Sequence, residues 1–296
     1  MNQNAIDVKH LTYQTSNFEL SDISFHVPKG YVTGFIGSNG AGKTTLIRLI
    51  MNLLSPDSGT IHMLGAKMPN FEKEIKEKIG FIYSELYLNE KWNITKCEKI
   101  FSLMYSTWDK ALFEKYIAKF QLPLNKKIKT FSTGMKMKLS FAIAFSHHAE
   151  LYILDEPTAG LDPVTRNEVL EIIQDELINE KKSVFFSTHI ISDIEKIADH
   201  LVYLKNGEII FDEQKHILLN KYQVIRGNIE DLDEELMSYI INLKIKQTGY
   251  EGLTREAEAF KELFGNRVVI KQPSIEELMV NIEQSGLDTI KLGDIL

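Results

Sequence analysis

Between Ile6 and Val27 apolar and polar residues alternate, most plainly in Ile23-Ser24-Phe25-His26-Val27. That period of two predicts strands of an antiparallel sheet with one wet face. From Tyr31 to Ile36 the chain is apolar and then breaks into glycines, the pattern of a buried strand feeding a turn. The run Lys43 to Leu53 follows with Leu46, Ile47, Leu49 and Ile50 at helical spacing. Further strands are expected at Thr60 to Leu64 and Ile79 to Tyr83. Leu86 to Phe145 then reads as mostly helical, with apolar residues at helical intervals in Ile100 to Met104 and Leu112 to Phe120. Apolar strands return at Leu151 to Leu154, Val184 to Ser187 and Leu201 to Leu204, separated by helical stretches, which is the alternation of a parallel α/β sheet. Asn206-Gly207 is a two-residue hairpin signal.

Beyond about His216 strands and helices alternate without motif glycines, and Pro273-Ser274-Ile275-Glu276-Glu277 has the spacing of a capping box at a helix start. These breaks predict a core over residues 1–215, with a helical insertion at about 85–145, and a small α+β appendage over residues 216–296. A chain of 296 residues can bury such a core without metal or disulfide staples, and the single cysteine, Cys97, can close no intrachain bridge. No apolar run reaches the roughly 20 residues needed to span a bilayer, and Met1 to His10 lacks a signal-peptide pattern. The expectation is a soluble chain in a reducing cytosol.

Charge changes the picture in two places. The net charge of -7 argues against a dedicated nucleic-acid binder. It is unevenly spread: Glu85 to Phe145 carries an excess of six positive charges, and His216 to Leu296 an excess of five negative ones. The basic segment faces either solvent, as charged surfaces do, or phosphates and an anionic membrane.

Gly37-Ser38-Asn39-Gly40-Ala41-Gly42-Lys43-Thr44 fits the P-loop pattern in full, between an expected strand and an expected helix, with Thr45 next in line. Glycines let backbone N–H groups converge on phosphates and the helix amino terminus adds partial positive charge. Lys43 can reach the β- and γ-phosphates, and Thr44 offers a hydroxyl to Mg²⁺. Leu151-Tyr152-Ile153-Leu154-Asp155-Glu156 ends a strand in two carboxylates. Asp155 suits the Mg²⁺ shell and Glu156 the side from which water attacks.

With Pro157-Thr158-Ala159-Gly160-Leu161-Asp162 following, the chain closely resembles the nucleotide-binding subunits of ABC transporters, from roughly Ile6 to Gln214. Phe131-Ser132-Thr133-Gly134-Met135 stands where that family has its LSGGQ signature, Asp162 matches its D loop, and His189 its switch histidine. The resemblance implies an α/β fold: a P-loop NTPase core with an antiparallel β subdomain and an inserted helical subdomain. It implies ATP and Mg²⁺ as ligands, with Lys43, Glu156 and His189 catalytic and Thr44 and Asp155 at the metal. It also implies a dimer, homologous or with a related ATPase, in which Ser132 and the Gly134 N–H serve the nucleotide of the partner. The expected partner is a separate integral membrane permease, which places the chain at the cytoplasmic face of the membrane, with no nucleic acid. The appended tail resembles that of bacterial exporter ATPases of the antibiotic- and peptide-export type, phenol-soluble-modulin exporter subunits among them.

Three positions depart from the family pattern. Thr133 replaces the first signature glycine, Met135 the glutamine of that motif, and Ser84 the Q-loop glutamine, with Glu85 or a water as possible substitutes. For the aromatic ring that the family stacks on adenine, the aligned residue is Gln14, with Tyr13 adjacent and Phe18 nearby; Tyr13 is the choice, against an ordinary strand role. Trp92 and Trp108 read as packing. The rival class is a soluble ABC ATPase acting on ribosomes or DNA. The core is not duplicated, and about 110 residues separate Lys43 from Asp155 without sustained heptads, too few for a long inserted coiled coil.

Overall fold

The computed structural model describes residues 3–70, 72–83, 88–176 and 182–285, which form two compact units, Met1–Asp212 and Glu213–Leu296. In the first unit the strands are β1 (Asn4–Thr15), β2 (Phe18–Pro28), β3 (Val32–Ile36), β4 (Ser58–Met63), β5 (Ala66–Lys67), β6 (Ile79–Ile82), β7 (Leu151–Asp155), β8 (Ser183–Thr188), β9 (His200–Lys205) and β10 (Glu208–Gln214). The helices are α1 (Lys43–Ile50), α2 (Glu72–Lys76), α3 (Ile94–Met104), α4 (Lys110–Lys119), α5 (Thr133–Phe145), α6 (Pro163–Glu176) and α7 (Ile191–Ile197).

Two sheets build this unit. The first runs β2-β1-β4-β5 with antiparallel pairings, and the second runs β10-β9-β3-β8-β7-β6, parallel from β9 through β6. Every residue of β3, β7, β8 and β9 is buried, as expected of parallel strands covered on both faces. Leu46, Ile47, Leu49 and Ile50 of α1 join Ile6, Val8, Leu11, Ile23 and Phe25 in one apolar core between the sheets. Phe35 stacks between Phe25 and Phe185 at 6.0 and 5.1 Å, so the antiparallel sheet is bound to the strand that carries the P-loop. At the Asn206-Gly207 turn both residues have positive φ, 49° and 78°, which matches the twist of a two-residue hairpin.

The helical insertion is capped where its sequence allows. Asn93, Asp109 and Ser132 accept from the backbone N–H groups of Lys96, Leu112 and Met135, fixing the starts of α3, α4 and α5. Tyr116 and Phe141 pack on Phe145, which meets Tyr152 of β7 edge-on at 4.9 Å. Trp108 packs on Phe113 at 5.2 Å, a core role. The helix expected over Lys43 to Leu53 ends at Ile50, because Asn52 turns into the left-handed region at φ 54°. Ser84 and Glu85 lie outside the described residues.

The second unit comprises α8 (Lys215–Lys221), β11 (Gln223–Gly227), α9 (Glu234–Ser238), β12 (Ile241–Lys246), β13 (Gly249–Thr254), α10 (Ala257–Phe264), β14 (Val269–Lys271) and α11 (Ile275–Gln284). From β11 onward the order is βαββαβ, and its antiparallel sheet runs β12-β13-β11-β14, the split arrangement of ferredoxin-like domains. Its core gathers Ile225, Ile240, Tyr250, Phe260 and Val268. Ser274 and Glu277 form the reciprocal capping box at the start of α11.

Candidate functional site

β3 delivers the chain into the loop 37–42, and α1 begins at Lys43. Gly42 has φ 107°, and a Cβ there would lie 2.4 Å from Phe18 Cζ, so a side chain is excluded by both backbone and space. Phe18 therefore packs directly on the loop. A cavity of about 540 Å³ opens beside it, lined by Phe18, Ser38, Asn39, Gly40, Gly42, Lys43, Thr44, Thr45, Glu156, Ala159 and His189. Gly37 contributes its carbonyl, and Ala41 is buried behind the wall.

Lys43 is 6% exposed, and its ammonium donates to Gly37 O at 2.7 Å and Ser38 O at 3.2 Å. It also pairs with Glu156 Oε1 at 3.4 Å. A buried ammonium needs this company, and the glutamate is its countercharge.

Asp155 ends β7 at 3% exposure, where Ser187 Oγ donates to one carboxylate oxygen at 2.7 Å and Thr44 Oγ1 to the other at 3.2 Å. Glu156, next in sequence, leaves the strand with φ 52°, and its N–H donates to Ser187 O at 3.0 Å. Glu156 Oε2 meets His189 Nδ1 at 2.8 Å. The ends of β7 and β8 thus hold Glu156 and His189 against each other at the cavity mouth.

Ser132, Gly134 and Asp162 do not line this cavity. Ser132 is exposed at the start of α5, and a Cβ on Gly134 would sit 3.1 Å from Thr165 Cγ2 of α6. Asp162 is exposed and accepts from the Val164 and Thr165 backbone N–H groups, each at 3.1 Å, and from Thr165 Oγ1 at 2.7 Å. The Thr165 hydroxyl above all holds the Asp162 carboxyl below the usual range. Ser132, Gly134 and Asp162 therefore gather around the starts of α5 and α6, outside the cavity that the P-loop lines.

Tyr13 does not line the cavity; the aromatic residue in its wall is Phe18. Tyr13 and Phe18 both pack against the core, but Phe18 also reaches the loop at Gly42.

A network without a motif ties the loop after Glu156 to α7. Asp193, fully buried, accepts Thr158 Oγ1 at 2.7 Å and Arg166 Nε at 2.6 Å, and Arg166 also donates to Ser192 Oγ at 2.6 Å.

Residues 20–159 match the family described as ABC transporter. The ABC transporter ATP-binding protein YtrB of Bacillus subtilis is 28% identical over 90% of this chain and 91% of its own length. The bacitracin transport ATP-binding protein BcrA of Bacillus licheniformis is 36% identical over 68% of this chain and 67% of its own. Among solved structures, an ATP-binding subunit of an ABC transporter superposes with a TM-score of 0.65 at 28% identity, over 72% of this chain and 91% of that one. Among the described residues no helix is long and apolar enough to cross a membrane.

Proposed function

Since the chain belongs to the ATP-binding proteins of ABC transporters, we propose that the cavity beside Phe18 is its ATP site and that hydrolysis there drives a separate membrane permease, an exporter of peptides or antimicrobial compounds. The observation that carries this reading is the convergence of Lys43, Glu156 and His189 on one cavity roofed by the P-loop. Ribosomal or DNA-directed action finds no comparable support.

The loop amides and Lys43 bind the β- and γ-phosphates, and Phe18 offers its ring to the base. An incoming triphosphate replaces Glu156 as the countercharge of Lys43. Glu156, held by His189, then accepts a proton from water as the water oxygen bonds to the γ-phosphorus and the bond to the bridging oxygen of ADP breaks. Thr44 and Asp155 present a hydroxyl and a carboxylate oxygen 3.2 Å apart, hard donors that suit Mg²⁺. Bound there, the ion would neutralise charge on the β- and γ-oxygens.

Ser132 and Gly134 stand outside the cavity that their own P-loop lines, which supports a composite site in which each chain completes the nucleotide site of its partner. The helical insertion α3–α5 is the candidate permease contact. The bacitracin transport protein supports the export of peptides or antimicrobial compounds as the cargo class. Detergent-solubilised membranes from cells expressing the tagged chain should yield one integral membrane protein with it, and Mg-ATP hydrolysis by that complex should vanish with Lys43→Ala. Recovery of ribosomes or DNA in place of a membrane protein would reverse the proposal.

A further inference from the structure

Away from the nucleotide cavity, three strands bring two imidazoles onto one carboxylate. His26 of β2 places Nδ1 2.6 Å from Asp212 Oδ2, and its backbone N–H donates to the same oxygen at 2.9 Å. His200 of β9 places Nε2 2.6 Å from Asp212 Oδ1. The rings stand 4.8 Å apart at 59°, and one donor atom from each of the three residues falls within 4.8 Å of the others. His26 and Asp212 are 186 positions apart, so no sequence motif announces the group.

We infer that His26, His200 and Asp212 form a binding site for one divalent transition-metal ion of the Zn²⁺ or Ni²⁺ class. In the hydrogen-bonded form each imidazole directs a ring proton at the carboxylate. Metal binding at those two nitrogens moves each ring proton to the other nitrogen of its imidazole and sets one divalent cation between the same three groups, with no change in oxidation state. Two imidazole nitrogens with one carboxylate select a borderline ion; Mg²⁺ prefers all-oxygen surroundings and binds elsewhere.

Access and rigidity are divided between the two histidines. The His26 side chain is 39% exposed and gives an ion entry, whereas that of His200 is 3% exposed and held by its surroundings. Strength is limited by one buried atom. Among the described residues His200 Nδ1 has no hydrogen-bond partner, and a metal on Nε2 puts the ring proton there. A site lacking that outer partner is expected to bind about 10–100-fold more weakly than one that has it. The ion would join the antiparallel sheet to the β9–β10 edge of the core sheet.

The test is calorimetric titration of the nucleotide-free full chain with Zn²⁺ and, separately, Ni²⁺, with His189→Ala as the background so that the Glu156–His189 pair does not compete. His26→Gln and Asp212→Asn are compared in that background; His26→Gln alters the most exposed ligand and is the variant best able to fold. The expected result is one equivalent of ion lost in both variants, a rise in melting temperature with metal that His26→Gln abolishes, and no competition from millimolar Mg²⁺. Equal stoichiometry in the background protein and in folded His26→Gln, or no binding in the background protein, would show a hydrogen-bonded bracket only and overturn the site.

Discussion

His189 Nδ1 lies 2.8 Å from Glu156 Oε2 while Glu156 Oε1 faces Lys43 at 3.4 Å, so one carboxylate is shared between the histidine and the P-loop lysine. Glu156→Gln removes the proposed proton acceptor and leaves the proposed phosphate-binding groups in place. Turnover should fall by about 10²–10⁴ with ATP still bound. Gel filtration with Mg-ATP should show a stable dimer; unchanged hydrolysis would take Glu156 out of the reaction.

Ser132→Arg should spare ATP binding by the isolated chain and block hydrolysis, because Ser132 stands away from the cavity of its own chain. Mixed with Lys43→Ala protein, it should regain partial activity, since one of the two composite sites is then free of both substitutions. Parent-level hydrolysis by pure Ser132→Arg protein would exclude the shared site.

Thr158→Val leaves one oxygen of the buried Asp193 carboxylate without its donor, which should cost about 1–3 kcal/mol of stability, whereas Thr158→Ser should melt close to the parent. Arg166→Met removes the opposite charge of the same buried group and should cost more, about 3–5 kcal/mol. Calorimetric melting of the three variants tests the order.

His147 stacks on Tyr105 with centroids 3.9 Å apart, and burial holds its imidazole down to about 4 from an ordinary value of 6.5. The unfolded chain therefore takes up a proton at higher pH than the folded one. Stability from the neutral ring is complete above about pH 6.5 and is lost as pH falls through about 4. The loss should be on the order of 2–3 kcal/mol. His147→Phe keeps a stacking ring without the proton, so its denaturation midpoint should fall less between pH 7 and pH 4.

Cys97 is fully buried, and burial pushes its thiol up to about 11. In native protein at pH 8 it should stay unmodified by aromatic disulfide reagents and react stoichiometrically once unfolded in guanidinium. Rapid native labelling would contradict its placement in α3.

Local signals in the chain were readable because a short stretch decides each of them. The turn at Asn206-Gly207 and the capping box at Ser274 and Glu277 depend on residues within three positions of one another. The P-loop and the Asp155-Glu156 strand end are equally local. Sequence position points to the neighbourhood of Gln14 without deciding between Tyr13 and Phe18; only the fold places Phe18 in the cavity wall. The network of Asp193, Arg166 and Thr158 is not legible in the chain because its residues are up to 35 positions apart and no local pattern links them. The βαββαβ order of the tail was visible only as strand-helix alternation, since the pairing of β11 with both β13 and β14 is a long-range choice.

In the proposed mechanism the ion pair between Lys43 and Glu156 gives the reaction a direction as well as a place to occur. There Glu156 is the anion that a triphosphate would displace from Lys43, so the nucleotide would enter by exchange and not into an open field. With the triphosphate bound, the glutamate would be free to take a proton. Once phosphate departed, the negative charge before Lys43 would be reduced, and Glu156, after giving up its proton, would return to it. Such a site would reset by restoring its own internal salt bridge, and substitutions that weaken this pair should slow recovery between turnovers even where a single round of hydrolysis is intact.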